Sequence, residues 1–125
     1  MIKQGEEHMH TAIIIDDSKT SRSVLRTILE DHGYEVLAEA VNGLEGYEKY
    51  CELKPDFVTL DITMPVMDGI ETLVKIKEFD PNAQIIMVTA AGQKSKMLEA
   101  IKLGAAEFLT KPFETDQIIS IIESL

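Results

Sequence analysis

The chain has 125 residues, 45% of them hydrophobic and 27% charged, with a formal net charge of −10. That length and balance fit one globular core and exclude a disordered chain. No apolar run approaches the roughly 18 residues of a membrane span, and a duplex phosphate backbone would repel so acidic a surface.

Residues 1–10 lack the apolar stretch of a signal peptide and read as a loose leader before a single domain over residues 11–125. The one cysteine, Cys51, excludes an internal disulfide and a cysteine zinc cluster. The expectation is a soluble cytoplasmic protein with no nucleic-acid partner and no membrane insertion.

In chain order, Thr11 to Ile15 is a continuous apolar run that suits a strand buried on both faces, and it ends at Asp16-Asp17. Ser18 to His32 carries Val24, Leu25, Ile28 and Leu29 at helical spacing, with Gly33 as the stop. Glu35 to Ala40 reads as a second strand. Asn42-Gly43 turns the chain into a helix carrying Leu44, Tyr47 and Tyr50, which Lys54-Pro55-Asp56 breaks. Phe57 to Asp61 is a third strand ending on an acid. The loop Ile62 to Gly69 follows, then a helix from Ile70 to Phe79 with Leu73, Val74 and Ile76 inward. Gln84 to Thr89 reads as strand and Ser95 to Leu103 as helix, with Gly104 as its cap. Glu107 to Leu109 is a short fifth strand, and Thr115 to Leu125 a last helix with Ile118, Ile119 and Ile122 inward. Strict alternation of strand and helix predicts an α/β fold: five parallel strands joined by right-handed crossovers, with helices on both faces.

In such sheets the functional crevice lies outside the carboxyl ends of the strands. Those ends carry Asp16 and Asp17, Asp61, Thr89 and Lys111. Taken singly, an Asp after a strand reads as a helix cap, a Thr as a strand former and a Lys as a solvated loop residue. Their joint placement after the first, third, fourth and fifth strands is what points to a site. Three clustered carboxylates repel one another without a cation, and oxygen-only donors suit a hard ion such as Mg²⁺. His8, His10 and His32 all lie away from these positions, which argues against zinc or copper. The chain has no glycine-rich phosphate loop and no tryptophan, so neither a nucleotide site nor a sugar-binding acid pair is expected.

The set Asp16-Asp17, Asp61, Thr89 and Lys111-Pro112, with Met64-Pro65-x-x-Asp68-Gly69 after the central acid, resembles the receiver domain of two-component response regulators. The resemblance spans Thr11 to Leu125. The stretches Asp61 to Pro65 and Ala91 to Gln93 are most similar to the family's single-domain chemotaxis regulators. It implies a flavodoxin-like (βα)₅ fold of strand order 2-1-3-4-5. It further implies that Asp61 accepts a phosphoryl group from a sensor histidine kinase. Asp16, Asp17, Asp61 and the Thr63 carbonyl would hold Mg²⁺. Lys111 and the Thr89 hydroxyl would bind phosphoryl oxygens, and the Lys111–Pro112 peptide would be cis. Thr89 and Phe108 would form the switch; Phe108 stands where many members have Tyr, so a tyrosine-type hydrogen bond is absent. Thr63 and Ala91 fill the two variable positions beside the acceptor.

Such a chain is not an enzyme beyond its own aspartyl phosphorylation and autodephosphorylation. No output domain is expected, so output runs through binding. Met97 and Ile101, one helical turn apart, would form an apolar patch with Phe108, and the chain would act as a monomer. Three roles are open: a regulator that binds a flagellar motor switch protein, a relay intermediate that passes its phosphoryl group to a histidine phosphotransferase, and a receiver module cut from a longer regulator.

Overall fold

The computed structural model describes residues 10–125. Its elements alternate as β1 (Thr11–Ile15), α1 (Lys19–Asp31), β2 (Glu35–Ala40), α2 (Gly43–Leu53), β3 (Phe57–Asp61), α3 (Gly69–Phe79), β4 (Ile85–Ala90), α4 (Lys94–Lys102), β5 (Glu107–Lys111) and α5 (Thr115–Glu123). The strands form one parallel sheet of order β2-β1-β3-β4-β5. The expected leader lies outside the described residues except at His10. The His10 backbone N–H donates to Asp56 Oδ2 at 2.8 Å, and its carbonyl accepts from Glu35 N–H at 2.7 Å.

Both faces of the sheet are covered, which is why the central strands are mostly apolar along their length. Alternate side chains of β1 go to opposite sides. Ile13 and Ile15 join Tyr50, Leu60, Leu73, Ile76 and Met87 under α2, α3 and α4. Ala12 and Ile14 join Leu25, Leu29, Phe57, Ile86 and Ile122 under α1 and α5. Each layer removes several whole aliphatic side chains from water, each worth about 1.5–3 kcal/mol.

The helix starts follow from their caps. Ser18, Asn42 and Asp68 each accept a backbone N–H three residues on, and Asp68 with Glu71 completes a capping box. Gly33 and Gly104, just past α1 and α4, take φ of +88° and +108°, a region open to glycine at little cost.

Two apolar residues of the helical patterns lie exposed to solvent. Val24 is 48% exposed and Leu44 41% exposed. At about 100° per residue, Val24 stands about 140° from Leu29, outside the buried stripe of α1. Helix α2 buries Gly43, Gly46 and Tyr50 instead, and Leu44 lies about 120° from Tyr50. Helix α2 approaches the sheet through glycine: a Cβ at Gly46 would fall 2.5 Å from Ile15 Cδ1. Strand β5 runs two residues further than expected, because Thr110 and Lys111 stay in register with Thr89 and Ala90. That extension keeps Lys111 on the sheet, at the end that carries the acids.

Candidate functional site

Asp16 and Asp17 follow directly on β1, and Asp61 closes the neighbouring β3. Thr89 lies one residue from the end of β4, and Lys111 ends β5. Parallel strands bring all these ends to one edge of the sheet. One oxygen from each of Asp16, Asp17 and Asp61 lies within 4.8 Å of the others, close enough for a single ion to bridge.

The three acids are held differently. Asp16 is buried, its Oδ1 accepting from Ser18 N–H at 2.8 Å and its Oδ2 from Lys111 Nζ at 2.9 Å. Asp61 is 9% exposed; its Oδ1 accepts from Ile62 N–H at 2.8 Å, and its Oδ2 stands 3.7 Å from Lys111 Nζ. Asp17 is exposed, and its carboxylate makes no hydrogen bond or ion pair among the described residues.

Burial pushes the Asp61 carboxyl from 3.8 up to about 6. The Asp16 charge adds to the rise, Lys111 and the Ile62 N–H oppose it, and Asp17 adds a smaller push. One ammonium thus faces two of the three clustered carboxylates. The donor set is all oxygen and carries surplus negative charge, which fits a hard divalent cation such as Mg²⁺.

The loop after Asp61 folds back on the strand it leaves. Gly69 donates its N–H to the Ile62 carbonyl at 2.7 Å, and a Cβ at Gly69 would fall 2.1 Å from the Asp61 carbonyl oxygen. Only glycine permits that approach, which gives the Asp68-Gly69 pair its physical reason. The turn also forces Val66 to φ +68°, an unusual place for a β-branched residue.

Around the acids, the Thr89 hydroxyl is buried, with only a long 3.5 Å contact to the Ala90 carbonyl. The Lys111–Pro112 peptide is cis. Thr63 and Ala91 are exposed, and Gln93 Nε2 donates to Thr63 Oγ1 at 3.4 Å, joining the two loops beside Asp61. Phe108 is 40% exposed and Ile101 39% exposed, while Met97 packs half-buried against the core. A groove of about 620 Å³ between β5 and α5 is lined by Phe108, Thr110, Lys111, Gln117 and Ile121.

Known proteins share this fold. The response regulator receiver domain model matches residues 12–123. The chain belongs to that family. This receiver is similar to the chemotaxis protein CheY of Listeria monocytogenes, at 49% identity over 89% of this chain and 93% of that one. It is also similar to the CheY of Thermotoga maritima, at 47% identity over 90% and 94%. Among solved structures it resembles a chain of the CheX-CheY-BeF₃-Mg complex from Borrelia burgdorferi, at 34% identity and a TM-score of 0.91. That match covers 98% of this chain and 93% of that one.

Sequence reasoning did not single out two contacts of the receiver's site. Gln93 reaches Thr63, and Arg22 Nη1 donates to the Asp16 carbonyl at 2.7 Å. The only trace of the second in the sequence is an arginine six residues past Asp16, in the first turns of the helix that the acids introduce.

Proposed function

We propose that this receiver, spanning residues 11–125, accepts a phosphoryl group on Asp61 from the phosphohistidine of a sensor histidine kinase and signals through a change at its surface. The convergence of Asp16, Asp17 and Asp61 opposite the Lys111 ammonium carries this reading. An Asp61 oxygen attacks phosphorus, a P–O bond forms, and the P–N bond to the donor imidazole breaks. The transition state is loose, so the protein contributes position and charge more than covalent chemistry. Asp16, Asp17, Asp61 and the Thr63 carbonyl would hold Mg²⁺, whose charge offsets repulsion between the carboxylates and the anionic donor. Lys111 already faces Asp61 and offers its ammonium to one phosphoryl oxygen, while Thr89 offers its nearly unengaged hydroxyl to another.

As Thr89 moves toward the new anion, Phe108 turns inward and the face carrying Ile101, Phe108 and half-buried Met97 changes shape. The CheY relatives favour a chemotaxis output, in which a cytoplasmic monomer binds a downstream protein such as a motor switch component. The only chemistry the chain performs is on itself. Acetyl phosphate with Mg²⁺ tests the reading. Intact-mass spectrometry should show one added phosphoryl group on the wild type and none on Asp61→Asn. An undiminished adduct on Asp61→Asn would remove Asp61 as the acceptor.

A further inference from the structure

Asp17 presents a particular difficulty. Asp16 and Asp61 are each held by hydrogen bonds to their carboxylates, but the Asp17 carboxylate makes none among the described residues. Its direction is therefore set by its backbone, and above all by the Asp16–Asp17 peptide. That peptide begins with the Asp16 carbonyl, just beyond the last residue of β1.

Arg22 holds that carbonyl. Its Nη1 donates to the Asp16 oxygen at 2.7 Å, while its Nε donates to Glu39 Oε1 on β2 at 3.0 Å. Arg26 donates through Nε to the other Glu39 oxygen at 2.6 Å and through Nη1 to Glu30 at 2.9 Å. The planar guanidinium lets Arg22 make both contacts in a fixed fork. Its side chain is 13% exposed, against 37% for Arg26. Arg26 alone would tie α1 to β2 through Glu39. What Arg22 adds is the grip on the carbonyl next to Asp17.

We propose that Arg22 is a positioning residue of the metal site, fixing the Asp16–Asp17 peptide and so the direction in which Asp17 offers its carboxylate. The inference rests on the reading of Asp16, Asp17 and Asp61 as a Mg²⁺ site. Groups that orient metal ligands without touching the ion change affinity by about 10–100-fold when removed. Charge and position predict opposite signs here. Removing a cation from beside the Asp16 carbonyl should tighten Mg²⁺ binding if only charge mattered. Removing a support for Asp17 should weaken it.

The test is calorimetric titration of the full chain with Mg²⁺, with folding checked by circular dichroism. Arg22→Met should raise the Mg²⁺ Kd about tenfold or more. Arg26→Met, which breaks the other half of the Glu39 network, should stay within about twofold of wild type, since it touches neither acid nor the peptide between them. Arg22→Lys keeps the charge but loses the fork, so it should weaken binding in the same direction; it decides the matter if Arg22→Met does not fold. Equal affinity in the Arg22 and Arg26 variants, or tighter binding in Arg22→Met, overturns the inference and leaves the metal reading intact. A wild type that takes up no Mg²⁺ overturns both.

Discussion

Lys111 donates to Asp16 at 2.9 Å, while Asp61 Oδ2 stands 3.7 Å from the same nitrogen. The ammonium thus serves the buried acid first and only partly offsets the charge on Asp61, whose carboxyl sits at about 6 rather than 3.8. The two values differ by about 2 units, equivalent to roughly 3 kcal/mol between the ionised and protonated forms. A carboxyl raised in the folded state favours folding most below its unfolded value, and that contribution is lost as pH rises through the folded value. Without Mg²⁺, Asp61→Asn should therefore stabilise the protein at pH 7.5 by up to about 3 kcal/mol. The gain should shrink as pH falls from about 6 toward 4. Urea midpoints across that range check it, and a gain independent of pH would contradict the assigned origin.

Val66 is 75% exposed and sits at φ +68°. An exposed valine there has the strain of the left-handed region without burial to offset it. Val66→Asn should raise stability by about 1 kcal/mol, because asparagine tolerates that region and no packing is lost. A lowered thermal midpoint in Val66→Asn would show that the side chain has a partner in solution.

Thr59 lies between Ile14 and Ile86 in the sheet register, and its hydroxyl is the one buried side-chain polar atom without a partner among the described residues. A buried hydroxyl without a bond costs about 1–3 kcal/mol, and valine has nearly the same shape. Thr59→Val should be neutral or stabilising by about 1 kcal/mol. A loss above that size would mean that the hydroxyl is satisfied in solution, for instance by an internal water.

The proposed switch predicts a separation of two events. Thr89→Ala should still accept a phosphoryl group, because Asp61, Asp16 and Lys111 are untouched, but should switch poorly. Charge-assisted hydrogen bonds are worth about 1.5–3 kcal/mol, enough to shift a balanced equilibrium tenfold or more. Ring resonances of Phe108 with beryllofluoride and Mg²⁺ should move in the wild type and much less in Thr89→Ala. Unchanged resonances in the wild type would exclude Phe108 as the moving part.

The architecture was legible because burial on both faces leaves a signal that survives in one sequence. Ala12 to Ile15 is apolar without a gap and Phe57 to Leu60 is apolar but for Thr59, and the acids stand where that signal stops. The stops at Gly33 and Gly104 read correctly because each acts on its own few residues. The rest has a different cause. Leu44 is apolar yet exposed, and Gly43 and Gly46 hold the buried face of α2: its close approach to Ile15 requires the absence of a side chain. The grip of Arg22 on the Asp16 carbonyl depends on how α1 folds back beside the end of β1, and the reach of Gln93 to Thr63 on two loops meeting in space. No periodicity encodes such meetings, so the supports of the candidate site stayed hidden while its acids did not.

The order β2-β1-β3-β4-β5 leaves β5 hydrogen-bonded on one side only, through β4. An outermost strand opens at lower free energy than a central one, since only one ladder has to yield. Lys111, beside the acids, and Phe108, at the surface, are both on this strand, whereas Asp61 ends the central strand β3. Under the proposed function the acceptor would sit on a strand paired on both sides and the moving ring on one paired on a single side. Amide hydrogen exchange should accordingly run faster along β5 than along β3.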